Sequence, residues 1–111
     1  MEEALYDTSI LIESLRKNVK RLRGYTTIFN VMEFPKAVRI AELEVLYPVC
    51  KDYDEALKLS VKLLEGGKPI PSIDILIAAM CNNRNLTLIT KDKHFLSMKL
   101  IKEDFKITIL E

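Results

Sequence analysis

Short apolar runs alternate with stretches of helical periodicity from one end of this chain to the other. That alternation limits the fold more than any other feature. Ala4-Leu5-Tyr6 is an apolar run ending at Asp7 and reads as a buried strand. Thr8 or Ser9 can cap a helix that runs to about Leu22 and stops at Gly24, with Leu11, Leu15, Val19 and Leu22 on one face. Residues 25–28 read as a second strand. A helical piece carrying Glu33 follows, and Pro35 breaks it or opens a new helix in its own first turn. Residues 37–42 continue helically, residues 45–49 read as a strand, and residues 53–65 as a helix ended by Gly66-Gly67. Ser72 caps a helix over residues 73–83 that is apolar all round, as buried helices are. Residues 86–90 and 107–110 read as the last two strands.

Strands of this kind, each followed by a helix, imply a parallel sheet covered on both faces. With 111 residues, 49% of them hydrophobic, and only 3 Gly and 4 Pro, the chain is expected to form one globular domain over residues 1–111. Seventeen Lys+Arg against 16 Asp+Glu leave a net charge of +1, so bulk charge does not mark a nucleic-acid binder. Cys50 and Cys81 are too far apart for a CxxC, and with one His there is no zinc set. No apolar run reaches the roughly 18 residues of a membrane span and the start is acidic, so a soluble, cytoplasmic protein is expected.

Four acids stand where an exposed acid does not belong. Asp7 ends a buried strand, Glu33 sits in the apolar stretch FNVMEF, Asp74 lies between Ile73 and Ile75, and Asp92 follows a strand by two residues. Ligands of open α/β sheets bind beyond the carboxyl ends of the strands, where Asp7 and Asp92 fall and towards which Glu33 and Asp74 can point. Carboxylates gathered in one crevice repel each other unless a cation joins them, and all-oxygen donors suit Mg²⁺ or Mn²⁺. One or two such ions can activate water and clamp a phosphodiester. Taken singly, Asp74 and Asp7 read equally well as helix-start residues and Asp92 better as a turn residue, whereas Glu33, among apolar neighbours, reads as half of a buried ion pair only as the lesser alternative.

In order and spacing, YDTS, Glu33, PSIDILIAAMC and LTLITKDKHF resemble the PIN-domain family, and within it the VapC-type toxins and their small archaeal relatives. The resemblance implies a three-layer α/β/α fold around a parallel sheet and an Mg²⁺- or Mn²⁺-dependent ribonuclease. It implies that Asp7, Glu33, Asp74 and Asp92 are both catalytic and metal-binding, with Ser9 and Thr90 as hydroxyls that orient the acids. It also implies RNA as substrate, a VapB-type antitoxin as partner, and a homodimer. One departure concerns the T-x-D-x-D-F pattern, whose second acid is His94 here. His94 reads as a solvated turn residue, with a phosphate contact or proton acceptance as the alternative. It favours the competing reading of a weak or inactive module that binds RNA or protein. Lys91 and Lys93, which flank Asp92, are candidate RNA-phosphate contacts. So are Arg16 and Lys20 on the basic side of the first helix, where Lys17, Arg21 and Arg23 also fall; a plain solvated face is the alternative there. The 8 aromatics read mostly as core, leaving no evident stacking platform. A phosphoryl-transfer domain working through an aspartyl phosphate would want a D-x-D pair that YDTS lacks.

Overall fold

The computed structural model describes residues 3–111. Strand β1 (Ala4–Tyr6) leads into α1 (Thr8–Arg16), then β2 (Arg21–Thr27), α2 (Ile28–Glu33) and a 3-10 helix (Pro35–Arg39). β3 (Ala41–Leu46), α3 (Cys50–Glu65), α4 (Ser72–Asn83) and β4 (Thr87–Thr90) follow. A second 3-10 helix (Lys93–Leu96), α5 (Ser97–Ile101) and β5 (Ile107–Ile109) complete the chain. The five strands form one sheet in the order β3-β2-β1-β4-β5, every neighbouring pair parallel. The strand order therefore reverses between β1 and β4, the position at which doubly wound sheets open a crevice.

Period-two alternation divides the core. Leu5 of β1 packs with Leu59, Leu63, Ile77, Leu88, Phe95 and Met98, under α3, α4 and α5. Its neighbour Tyr6 faces the other way, onto Leu11, Leu15, Ala37 and Ile40, under α1 and the first 3-10 helix. This is the expected three-layer α/β/α arrangement with a central parallel sheet. α4 is buried from Ile75 through Cys81, as its all-round apolar sequence required. Cys50 and Cys81 are free thiols. No helix among the described residues is long and apolar enough to cross a membrane.

Several local expectations are corrected. The first helix stops at Arg16 rather than near Leu22, because Asn18 turns left-handed at φ 59°. Asn18 N–H then donates to the Leu15 carbonyl (3.1 Å) and Val19 N–H to the Ser14 carbonyl (2.8 Å), the paired bonds that close a helix C-terminus. Lys20 therefore lies off that helix, and Arg21, Leu22 and Arg23 belong to β2. Gly24 is no helix stop: it sits inside β2 at φ +149°, beside a shift of register with β3. A Cβ there would meet the Tyr6 ring at 2.7 Å and the Ala4 carbonyl at 2.9 Å. The helical reading of residues 37–42 also fails at its end, since the 3-10 helix closes at Arg39 and Ala41 opens β3 by donating to the Lys20 carbonyl (2.8 Å). β3 ends at Leu46, two residues before Pro48, which has no N–H for a ladder. Ser72 is the first residue of α4 and makes no side-chain cap. Pro35 does open a helix, at its first position.

Candidate active site

Asp7 sits just beyond β1, at the reversal point of the sheet, and is the best-held acid of the four. Its Oδ2 accepts from Thr90 Oγ1 at the end of β4 (2.7 Å), and its Oδ1 accepts from Asn30 Nδ2 in α2 (3.0 Å). Both donors are fully buried, and Asp7 itself is 9% exposed. Asn30 is oriented in turn by Thr27, whose hydroxyl donates to Asn30 Oδ1 (2.7 Å) and whose backbone N–H reaches the same oxygen (3.3 Å). The amide of Asn30 also donates to Thr8 Oγ1 (2.9 Å), and Thr8 donates onward to Glu33 Oε1 (3.1 Å). Asn30 thus joins the end of β2 to Asp7 on one branch and, through Thr8, to Glu33, exposed on α2, on the other. No buried side-chain polar atom among the described residues lacks a partner.

Asp74 enters from the first turn of α4 and Asp92 from the turn after β4. His94 joins them. Its Nε2 lies 3.0 Å from Asp74 Oδ2, its Nδ1 lies 2.6 Å from Asp92 Oδ1, and its ring stacks on Phe95 with centroids 4.8 Å apart. The expectation of a solvated turn histidine is corrected: His94 bridges two of the four acids. Burial holds the Asp74 carboxyl above the usual carboxylate range; the nearby charges of Asp7 and Asp92 add to the rise, and His94 works against it. Asp92 is itself oriented, its backbone N–H donating to Thr90 Oγ1 (3.0 Å). Glu33 and Asp74 also share a cavity of about 540 Å³ walled by Phe29, Met32, Pro71 and Ile73.

Of the two hydroxyls, Thr90 contacts an acid directly, whereas Ser9 Oγ accepts from the Lys91 backbone N–H (3.1 Å) and so ties the loop after β4 to α1. The Lys91 ammonium pairs with Glu13, whose other partner is Lys17 (2.8 Å). Held first by Lys17 and then by Lys91, the Glu13 carboxyl drops to about 2. Lys93 is exposed at the start of the second 3-10 helix. Arg16 lies eight residues along α1 from Thr8, about 12 Å away, and Lys20 lies further still. Those two cations stand apart from the acids.

Sequence reasoning passed over Asn30 and Thr8. Asn30 was legible by the argument that singled out Glu33, being a polar side chain in the same apolar stretch. Thr8 offered no such signal, because its role depends on a helix 25 residues away.

A divalent cation fits these residues by donor type. The donors are carboxylate oxygens, and Asp74 is raised first by burial, with the charges of Asp7 and Asp92 adding to the rise. In the observed rotamers, no three His, Cys, Asp or Glu side chains among the described residues converge into a metal cage. His94, bonded to both Asp74 and Asp92, would compete with a cation for those oxygens.

No protein-family model and no curated protein matches the sequence. Solved structures do match. A chain of VapBC2 from Rickettsia felis, bound to a DNA fragment from its promoter, superposes with a TM-score of 0.78 at 18% identity over 97% of this chain and 98% of that one. VapBC-5 from Mycobacterium tuberculosis, a toxin–antitoxin system, gives 0.74 at 21% identity over 100% and 99%. VapBC-1 from nontypeable Haemophilus influenzae gives 0.73 at 21% identity over 96% of each chain. The chain shares its fold with these VapBC chains along its whole length.

Proposed function

We propose that this chain is a divalent-metal-dependent endoribonuclease, the toxin of a type II toxin–antitoxin pair. The observation that carries the reading is the proximity of Asp7, Asp74 and Asp92, from three separate segments, near the reversal point of the sheet, with Glu33 tied through Thr8 to Asn30, the amide that holds Asp7. Bound Mg²⁺ or Mn²⁺ supplies positive charge for a phosphodiester and activates the attacking water. Thr90 and Asn30 hold the Asp7 carboxylate in one orientation, so its lone pairs are aimed before any ligand arrives. Thr8 does the same for one oxygen of Glu33 and leaves the other as a proton acceptor at the mouth of the crevice. Lys93 is placed beside Asp92 to meet substrate phosphate.

Its fold neighbours come from VapBC complexes, which supports a VapB-type antitoxin as partner. Self-association is supported by α3, where Tyr53, Leu57, Val61 and Leu64 leave an exposed apolar stripe. The test is cleavage of single-stranded RNA with Mn²⁺ or Mg²⁺. Asp7→Asn and Asp74→Asn are each expected to lose at least about 100-fold in rate while remaining folded. Full cleavage in either variant, or in excess chelator, contradicts the proposal.

The His94 bridge favours one other reading, a module that keeps the fold and binds RNA or protein without hydrolysing it. Calorimetry with Mn²⁺ separates the two, because absence of heat at millimolar metal favours the second.

A further inference from the structure

A second concentration of charge lies away from the carboxylates. Between α1 and the 3-10 helix Pro35–Arg39 is a cavity of about 550 Å³. Arg16, Lys20, Lys36 and Arg39 line it, no acid does, and Leu15 and Phe34 contribute to its apolar floor. All four cations are exposed, and none has an ion pair or side-chain hydrogen bond among the described residues. Elsewhere Lys17 and Lys91 on Glu13, Arg21 on Glu42, Arg84 on Asp52 and Lys102 on Asp104 are neutralised; other unpaired cations exist, but the four around this cavity share one hollow. In a chain of net charge +1, four unpaired cations around one hollow are a local excess with a defined shape.

The hollow connects to the acids along the chain. Phe34 in its floor follows Glu33 directly. On α1, the hydroxyl of Thr8 contacts Glu33 while Arg16, two turns on, lines the cavity. A polyanionic strand with its phosphodiester over the carboxylates can therefore follow α1 for about 12 Å and reach the cations. Arg and Lys neutralise phosphates without regard to sequence, and an aromatic ring beside them can take a base.

We propose that this cavity is an anchoring subsite for one nucleotide unit of a single-stranded RNA, with phosphate on Arg16, Lys20, Lys36 and Arg39 and the base against the Phe34 side. The identity of the ligand as RNA rests on the ribonuclease reading above; the anionic character of the ligand does not. The subsite assigns Arg16 and Lys20 together with two cations the sequence did not single out. It makes a strand of several nucleotides a better ligand than a dinucleotide.

The test is binding of a fluorescent ten-nucleotide RNA to the full chain, followed by anisotropy in chelator so that nothing is cleaved. Lys36→Ala/Arg39→Ala removes two exposed charges, with Lys36→Gln/Arg39→Gln as a second variant. Affinity is expected to fall about tenfold, and the slope of log Kd against log salt to fall by about 0.7 for each cation removed. Unchanged affinity and slope in both folded variants overturn the proposal. So does adenosine monophosphate binding as tightly as the ten-mer, which marks a free-nucleotide site. An acidic peptide of equal charge that binds in preference to the RNA, and is lost in the same variants, overturns it in favour of a protein ligand. Cleavage is not measured here, so a loss of the subsite and a failure of the ribonuclease reading remain separate results.

Discussion

The two ends of α4 hold aspartates in opposite circumstances. At the far end Asp52, on α3, is fully buried and saturated. Arg84 grips both its oxygens (2.8 and 2.9 Å), Asn83 adds a bond (3.0 Å), and the Val49 N–H adds another (2.7 Å). Burial alone would push the Asp52 carboxyl up, but Arg84, Val49 and Asn83 outweigh it and hold it below the usual range. At the near end, about 15 Å along the same helix, Asp74 shares a crevice with Asp7 and Asp92 and sits above that range. Asp7 there is held by neutral donors. The contrast separates an acid whose charge is matched by the fold from acids whose charge is left for something else to match.

The saturated end is the more sensitive of the two to substitution. Arg84→Ala strips a buried carboxylate of its bidentate partner and is expected to cost about 3 kcal/mol in denaturant unfolding. A loss below about 1 kcal/mol would show that the Asp52 network contributes little. The matching change at the open end, His94→Ala, is expected to cost less than about 1 kcal/mol without metal, because the ring is partly solvated. It should also tighten Mn²⁺ binding in calorimetry, since nothing then ties Asp74 to Asp92. Weaker binding would instead make His94 a ligand. Asp74→Asn is expected to raise metal-free stability near neutral pH by about 1 kcal/mol, by removing a charge the folded state disfavours.

Acid titration sharpens the same contrast through its sign. Asp52 has a folded value below its unfolded one near 3.8, so its stabilising share is complete above that pH and is lost as pH falls through the folded value. Asp74 has a folded value above its unfolded one, so the metal-free protein loses stability as pH rises from about 3.8 through the folded value. Melting temperatures from pH 2 to pH 7 should therefore show a shallower acid limb below about pH 4 in Arg84→Ala, and lose the opposing drift above it in Asp74→Asn.

Legibility in the sequence followed the range of the interaction. β1 was readable to the residue, because an apolar run ending at Asp7 is a local signal, and α4 because burial on all sides leaves an unbroken apolar sequence. Pro35 marked a break through its missing N–H. The end of α1 was misplaced although Asn18 carried the cue, since Asn is among the residues that most readily turn left-handed. Gly24 looked like a stop because its true constraint, the Tyr6 ring against its Cα, comes from another strand. In the site, the placement of the four acids followed from strand ends and apolar neighbours. The positions of Asn30, Thr8 and His94 depended on partners 20 or more residues away. The Asp52–Arg84 pair, 32 residues apart, was invisible for the same reason.

On the proposed function, a divalent cation matches the charge at the near end of α4. The most direct measurement is the melting temperature of the wild type and of Asp74→Asn with and without millimolar Mn²⁺, because a ligand that binds only the folded state raises it by mass action. Mn²⁺ is expected to raise the wild-type value and to leave Asp74→Asn nearly unmoved. An absent rise in the wild type, or an equal rise in both, would contradict that match.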